Sequence, residues 1–233
     1  MSKGIGWSIG AKFPTTTFYS KLAPVLRSIV DALFVRDELT HVGRRGGRMV
    51  KLTSASLAKA MTDRANRSWY LASSADAEPD VAVDCHRLEH DLSIGITLLD
   101  KAWRRHGGTL AADLEAVTWS VVDRFGAKAC FSGGIHLAFD PPISIPKALQ
   151  QRRRPAHPAG VMEILDRRNA TLPDLPDWTA SYQKLLDGVP PRTVRVCERG
   201  DVTLRFWTDA LGDEKALRSA CKRYQQWLVK TVP

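Results

Sequence analysis

The densest group of metal-capable side chains is Cys85-His86 with His90, flanked by Asp84, Glu89 and Asp91. A thiolate and two imidazoles are zinc ligands, but a closed structural site needs a fourth partner. No second Cys/His cluster stands at ligand spacing, and the stretch reads as a polar hairpin turn. Ser132-Gly133-Gly134-Ile135-His136 has the glycines of a phosphate loop. It lacks the Gly-x-Gly-x-x-Gly and Gly-Lys-Ser/Thr patterns that place amides and a lysine around phosphate. Its glycines fit a bulge or a close backbone approach. No Gly-x-Ser-x-Gly elbow and no His-Glu-x-x-His helix is present. Asp174 and Asp177 lie in a proline loop and read as turn residues. The expectation is a protein with no catalytic residues, no metal and no cofactor.

Positive charge is the stronger signal. The 233 residues carry 34 Lys and Arg against 25 Asp and Glu, a net charge of +9. Two loops concentrate it. Gly43-Arg44-Arg45-Gly46-Gly47-Arg48 combines arginines with turn residues, and Arg152-Arg153-Arg154 sits in a proline-rich stretch. Guanidinium groups and free amides in such loops suit an acidic partner. Arg44, Arg45, Arg48, Arg152, Arg153 and Arg154 are therefore the candidate partner-binding residues. Nucleic acid is the alternative partner. However, no helix-turn-helix, RNA-recognition or zinc-finger pattern accompanies the charge.

These loops need elements to hold them. Ile5, Trp7, Ile9 and Ala11 alternate as one side of a strand over 5–13. Leu22, Leu26, Ile29 and Leu33 form the stripe of an amphipathic helix between Tyr19 and Phe34, with a cap among Thr15, Thr16 and Thr17. Residues 36–51 read as a loop, followed by a short helix capped by Thr53 or Ser54. Strands over 69–72, 81–85 and 92–98 follow one another and predict an antiparallel meander. Thr109 should cap a helix from Leu110 to Phe125, closed by Gly126 at its C-terminus. Residues 127–131 and 135–139 read as two strand pieces broken at Gly133-Gly134. Beyond the 140–160 loop come a short strand over 161–165, a weak segment from Tyr182 to Leu186, and a hairpin formed by 193–197 and 202–207. A helix capped by Asp213 ends the chain, with Glu214 and Arg218 paired one turn apart. Strands and helices come in blocks, which predicts an α+β fold with a mainly antiparallel sheet.

Hydrophobic residues at 44% and charged residues at 25% exclude wholesale disorder. One domain over 1–233 is expected, with 140–160 as the candidate internal boundary. The N-terminal stretch has no apolar run of signal-peptide length, so a cytoplasmic location and no membrane contact are expected. Cys85, Cys130, Cys197 and Cys221 form no Cys-x-x-Cys pair and fall in apolar-patterned segments. They read as reduced thiols.

The order of elements resembles the immunity protein 52 family of bacterial polymorphic-toxin systems. The likeness runs through Leu114-Glu115-Ala116-Val117-Thr118-Trp119, Gly160 to Leu165, the Leu172 to Pro176 loop and Val202 to Asp209. It spans most of the chain as a match of pattern and order. The resemblance implies a non-enzymatic α+β protein that neutralises a cognate secreted toxin by stoichiometric binding. The toxin is often a type VI secretion effector whose nuclease domain has a restriction-endonuclease-like fold. No family site residue transfers by motif. A +9 chain departs from a DNA mimic, which should be acidic. It suits an acidic toxin surface instead, with buried aromatic anchors setting the lifetime of the complex.

Overall fold

A computed structural model describes residues 4–13, 22–62, 67–87, 90–137, 161–171, 176–188, 190 and 192–231. The fold is α+β. Its strands are β1 (Gly4–Lys12), β2 (His41–Gly43), β3 (Met49–Lys51), β4 (Ser68–Ala72), β5 (Val81–Arg87), β6 (Asp91–Leu99), β7 (Cys130–Leu137), β8 (Met162–Asp166), β9 (Arg195–Arg199) and β10 (Val202–Phe206). They form one ten-stranded sheet in the order β3-β2-β4-β5-β6-β1-β7-β8-β10-β9. Every pairing is antiparallel. The helices are α1 (Leu22–Asp31), α2 (Ser54–Thr62), α3 (Asp100–His106), α4 (Leu110–Phe125), α5 (Pro176–Asp187) and α6 (Glu214–Thr231).

The first strand of the chain lies in the middle of the sheet, between β6 and β7. Its alternation decides which face takes the helices. Ile5, Trp7, Ile9 and Ala11 are buried in the main core. The Trp7 indole N–H donates to the Thr118 hydroxyl on α4 at 3.0 Å, so α4 lies on this face. Gly6, Ser8 and Gly10 turn the other way. The Gly6 position leaves room for the His136 imidazole, which a Cβ there would strike.

The stretch around Gly133 is one continuous strand rather than two pieces. A Cβ on Gly133 (φ 140°) would collide with the Ser8 carbonyl, and one on Gly134 with the Met162 carbonyl. The glycines therefore let β1, β7 and β8 approach closely, and a phosphate loop is not formed. Two short strands, β2 and β3, stand inside the expected 36–51 loop. The weak segment near Tyr182 is the second half of α5.

Caps confirm some boundaries and move others. Thr53 accepts from the Ser56 N–H at 3.1 Å while the Ser56 hydroxyl accepts from the Thr53 N–H at 2.8 Å, a reciprocal cap for α2. Asp213 Oδ1 accepts from the Lys215 N–H at 2.8 Å at the start of α6. Thr109 makes no side-chain cap, and its hydroxyl donates to Asp113 at 2.5 Å instead. Gly126 (φ 52°) closes α4 as expected. The proposed first-helix cap at Thr15 to Thr17 lies outside the described residues.

The far half of the sheet is covered on both faces. Arg195 on β9 pairs with Glu115 of α4 and stacks 4.0 Å over the Phe206 ring. Arg205, the neighbour of Phe206, points oppositely and donates to the Leu185 and Leu186 carbonyls at 2.5 and 2.7 Å. Those carbonyls end α5, so a buried guanidinium closes the helix C-terminus. Trp207, Tyr224 and Trp227 pack together where α6 lies on the same side. Among the described residues, no helix is long and apolar enough to cross a membrane. Cys85 and Cys221 are buried free thiols, while Cys130 and Cys197 are half-buried.

Glu163 lies directly across from Arg205 and is 3% exposed. Neither carboxylate oxygen makes a hydrogen bond of good geometry. Burial pushes its pKa up to about 7, although Tyr224 of α6 and Arg205 of β10 pull the other way. The Tyr182 hydroxyl of α5 is also close enough to feel its charge. A folded-state pKa raised above the ordinary value favours the neutral form in the fold. That stability is full at low pH and is lost as pH rises through about 7. The loss from Glu163 should reach up to about 3 kcal/mol between about pH 4 and about pH 8. Glu163→Gln should abolish it. Chemical denaturation across this range should show variant and wild type converging at the acid end, with the variant more stable at the alkaline end. Parallel curves would contradict the account.

Candidate partner interface

β2 and β3 form a hairpin at one end of the sheet, with His41 opposite Lys51, Val42 opposite Val50 and Gly43 opposite Met49. The connecting residues 44–48 include two of the glycines that the arginine run offers. Gly46 takes a positive φ of 70°, and the Gly47 N–H returns to the Arg44 carbonyl at 2.9 Å. This is turn chemistry that β-branched residues could not supply. It holds Arg44, Arg45 and Arg48, all exposed, on a tight hairpin rather than a free loop.

Most of the arginines described elsewhere are tied down. Arg27 and Arg36 meet Asp31, Arg105 meets Glu38, Arg168 meets Asp166, Arg195 meets Glu115 and Asp209, and Arg199 meets Asp123. Arg44, Arg48 and Lys51 have no such partner among the described residues. Arg45 acts on groups behind the hairpin. Gly43 lies across from Tyr70, and Tyr70 across from Asp84. Burial raises the Asp84 carboxyl pKa, and the charges of Arg45 and His86 oppose the rise. Burial and the Asp84 charge raise the Tyr70 hydroxyl, again against Arg45. His86 Nε2 stands 4.0 Å from Asp84 Oδ1. Tyr70, Ala72 and Ala82 form a small apolar cluster with Met49 packed against it. It sits on the face turned away from α4. That face continues across β6 and β1 as exposed Ser93 and half-buried Gly95, Thr97, Ser8 and Gly10. His136 lies farther along the same face, where burial brings its pKa down to about 4.

Of the six arginines singled out from the sequence, the hairpin gathers Arg44, Arg45 and Arg48. Arg152, Arg153 and Arg154 lie outside the described residues. Cys85 and His86 alternate on β5 and point to opposite faces. Cys85 is buried and its thiol is pushed up by desolvation, so the two do not converge on one ion. Among the described residues, no three His, Cys, Asp or Glu side chains gather as metal ligands. Among the described residues, the expected aromatic anchors are also missing from the surface. Trp7, Trp69, Trp103, Trp119, Trp207 and Trp227 are buried, as are Tyr70, Tyr182 and Tyr224. The exposed large apolar residues among those described are Val50, Val194 and Val196, all at the two edges of the sheet. Their positions could not be read from the sequence, because a valine in an edge strand looks like any other strand valine.

No known protein-family model matches the chain. No curated protein sequence matches it either. Among solved structures, it is similar to the Pseudomonas aeruginosa T6SS protein PA0821, with a TM-score of 0.56 and 11% identity over 99% of this chain and 73% of that one. The two share a fold. A second likeness is to a structure of the toxic C-terminal tip of CdiA from Pseudomonas aeruginosa in complex with an immune protein. It has a TM-score of 0.31 and 14% identity over 61% of this chain and 93% of that one.

Because Arg45 lowers the Asp84 pKa, Arg45→Ala should raise it further. A carboxyl-carbon NMR titration of Asp84 in the two proteins reads this directly. An unchanged midpoint would show that the hairpin charge does not reach the sheet face.

Proposed function

We propose that this chain is an immunity protein that binds and neutralises a secreted bacterial toxin, acting by stoichiometric contact rather than by catalysis. The observation that carries the reading is the hairpin that holds Arg44, Arg45 and Arg48 exposed, with Arg44 and Arg48 lacking ion-pair partners among the described residues. An exposed, pre-organised cluster of one sign speeds encounter with an acidic partner and rejects basic ones. The element order that resembles the immunity protein 52 family supports the assignment. So does the fold shared with a type VI secretion protein of Pseudomonas aeruginosa.

The finer reading is that the toxin is a nuclease effector of a type VI system with a restriction-endonuclease-like domain. The carboxylates that hold such an enzyme's metal would offer the acidic surface. The protein would act in the cytoplasm of the producing cell, as a single unit in which β7 and β8 pair across the 138–160 segment. Nucleic-acid binding is the second reading, favoured by the charge of +9. It predicts retention on DNA or RNA that falls steeply with salt.

Co-expression with the gene that neighbours this one tests the proposal, which requires that gene to encode a secreted effector. Expression of the effector alone should arrest growth. Adding this chain should restore growth and give a complex that co-purifies in fixed ratio. Failure of both would overturn the reading.

A further inference from the structure

The two edges of the sheet differ in a way that selects what can pair with them. β3 is one edge strand and β9 the other. On β9, Arg195 is held by Glu115 and Asp209, and Arg199 by Asp123. That edge is electrically satisfied, and nothing in its charge names an occupant. On β3 the balance is open. Arg44, Arg48 and Lys51 are exposed without ion-pair partners among the described residues, and Arg45 adds a further positive charge. Val50 between them is 41% exposed.

Among the described residues, the backbone of β3 is also paired on one side alone. The Leu52 N–H donates to the Thr40 carbonyl at 2.7 Å, which sets the phase of the β2–β3 ladder. Antiparallel pairs alternate, so Val50 turns its amide toward β2 while Met49 and Lys51 turn theirs outward. The Lys51 carbonyl is taken by the Ser56 hydroxyl at 2.9 Å. The outward N–H groups of Met49 and Lys51 and the Met49 carbonyl are left for a further strand.

We infer that β3 is a docking edge for an extended acidic segment of the partner protein, which adds an eleventh strand to the sheet. The inference rests on the reading above that the partner is a protein. An incoming strand would place an apolar residue beside Val50 on one face. Its carboxylates would fall beside Lys51 and the Arg44 to Arg48 turn. Main-chain hydrogen bonds would supply affinity, and the alternating side chains specificity. The same charges exclude a second copy of this chain. Two β3 edges would bring Lys51 and the arginine turns of both copies together, which is how a charged short edge blocks self-pairing. A charged edge that repels itself and is unpaired with its own acids admits one sign of partner.

Selection of phage-displayed random dodecapeptides tests this without knowledge of the toxin. Wild type is the bait, and the triple variant Arg44→Glu, Arg48→Glu, Lys51→Glu is the counter-bait. All three positions are exposed, and an unchanged melting temperature would show that the variant folds. Enriched peptides should be acidic and rich in β-formers. They should bind the variant at least ~10-fold more weakly and protect the amides of Met49 and Lys51 from hydrogen exchange. No enrichment, enrichment without acidic bias, or protection elsewhere would overturn the inference. Binding of a short single-stranded DNA that protects the same amides would assign the edge to nucleic acid and overturn it too. None of these results depends on toxin rescue, so this inference and the immunity reading can fail separately.

Discussion

The alternation of β1 is the constraint on which the rest of the fold depends. Ile5, Trp7, Ile9 and Ala11 on one side and Gly6, Ser8 and Gly10 on the other give a central strand with one apolar face and one nearly bare face. The apolar face collects α4 through the Trp7–Thr118 hydrogen bond and the main core with it. The bare face has too little side chain to bury a helix against. It accepts β7 closely instead, where Gly133 meets the Ser8 carbonyl and the His136 ring lies over Gly6. Because β1 joins β6 to β7, both halves of the sheet inherit this asymmetry.

The two halves resolve it differently. Beyond β8, the second face is covered by α5 and α6. Glu163 and Arg205 are buried across from one another beneath them without a salt bridge between them, and Arg205 turns its donors to the α5 carbonyls. The Arg205 guanidinium positions the helix end through these two bonds. Toward β2, the second face keeps small polar residues, the Tyr70–Ala72–Ala82 cluster and the Asp84 carboxyl, with the arginine hairpin at its margin. The conserved logic of a sheet fold, one face for the core and one for solvent or a partner, is met on this half alone. This half therefore keeps an open sheet face beside exposed cations at Arg44, Arg48 and Lys51 that have no ion-pair partner among the described residues.

Much of this architecture was legible in the sequence, and for stated reasons. The strict period of two at Leu92, Ile94, Ile96 and Leu98 located β6, and the helical stripe from Leu110 to Phe125 located α4 with its closing Gly126. The meander and the terminal hairpin followed from strand runs and turn residues. Other elements were hidden. β2 and β3 are three residues each, too short for alternation to show. Gly133 and Gly134 looked like a break because their role is contact with Ser8 and Met162, which lie far away in sequence. Nothing local marks Glu163 and Arg205 as buried, since only the fold reveals that α5 and α6 cover that face. Of the site, the arginine turn was visible by composition alone. That Arg44, Arg48 and Lys51 have no ion-pair partner among the described residues depends on where the acidic residues fall in space.

The claim that joins fold to function is that the β2–β3 edge meets an acidic partner and governs how fast the complex forms. The association rate of a toxin domain captured by co-purification with this chain, followed by stopped-flow at several salt concentrations, tests it most directly. The account predicts that reversing the charges of Arg44 and Arg48 slows association by about tenfold or more at low salt and flattens its salt dependence. Equal rates and equal salt slopes for the variant and the wild type would contradict it.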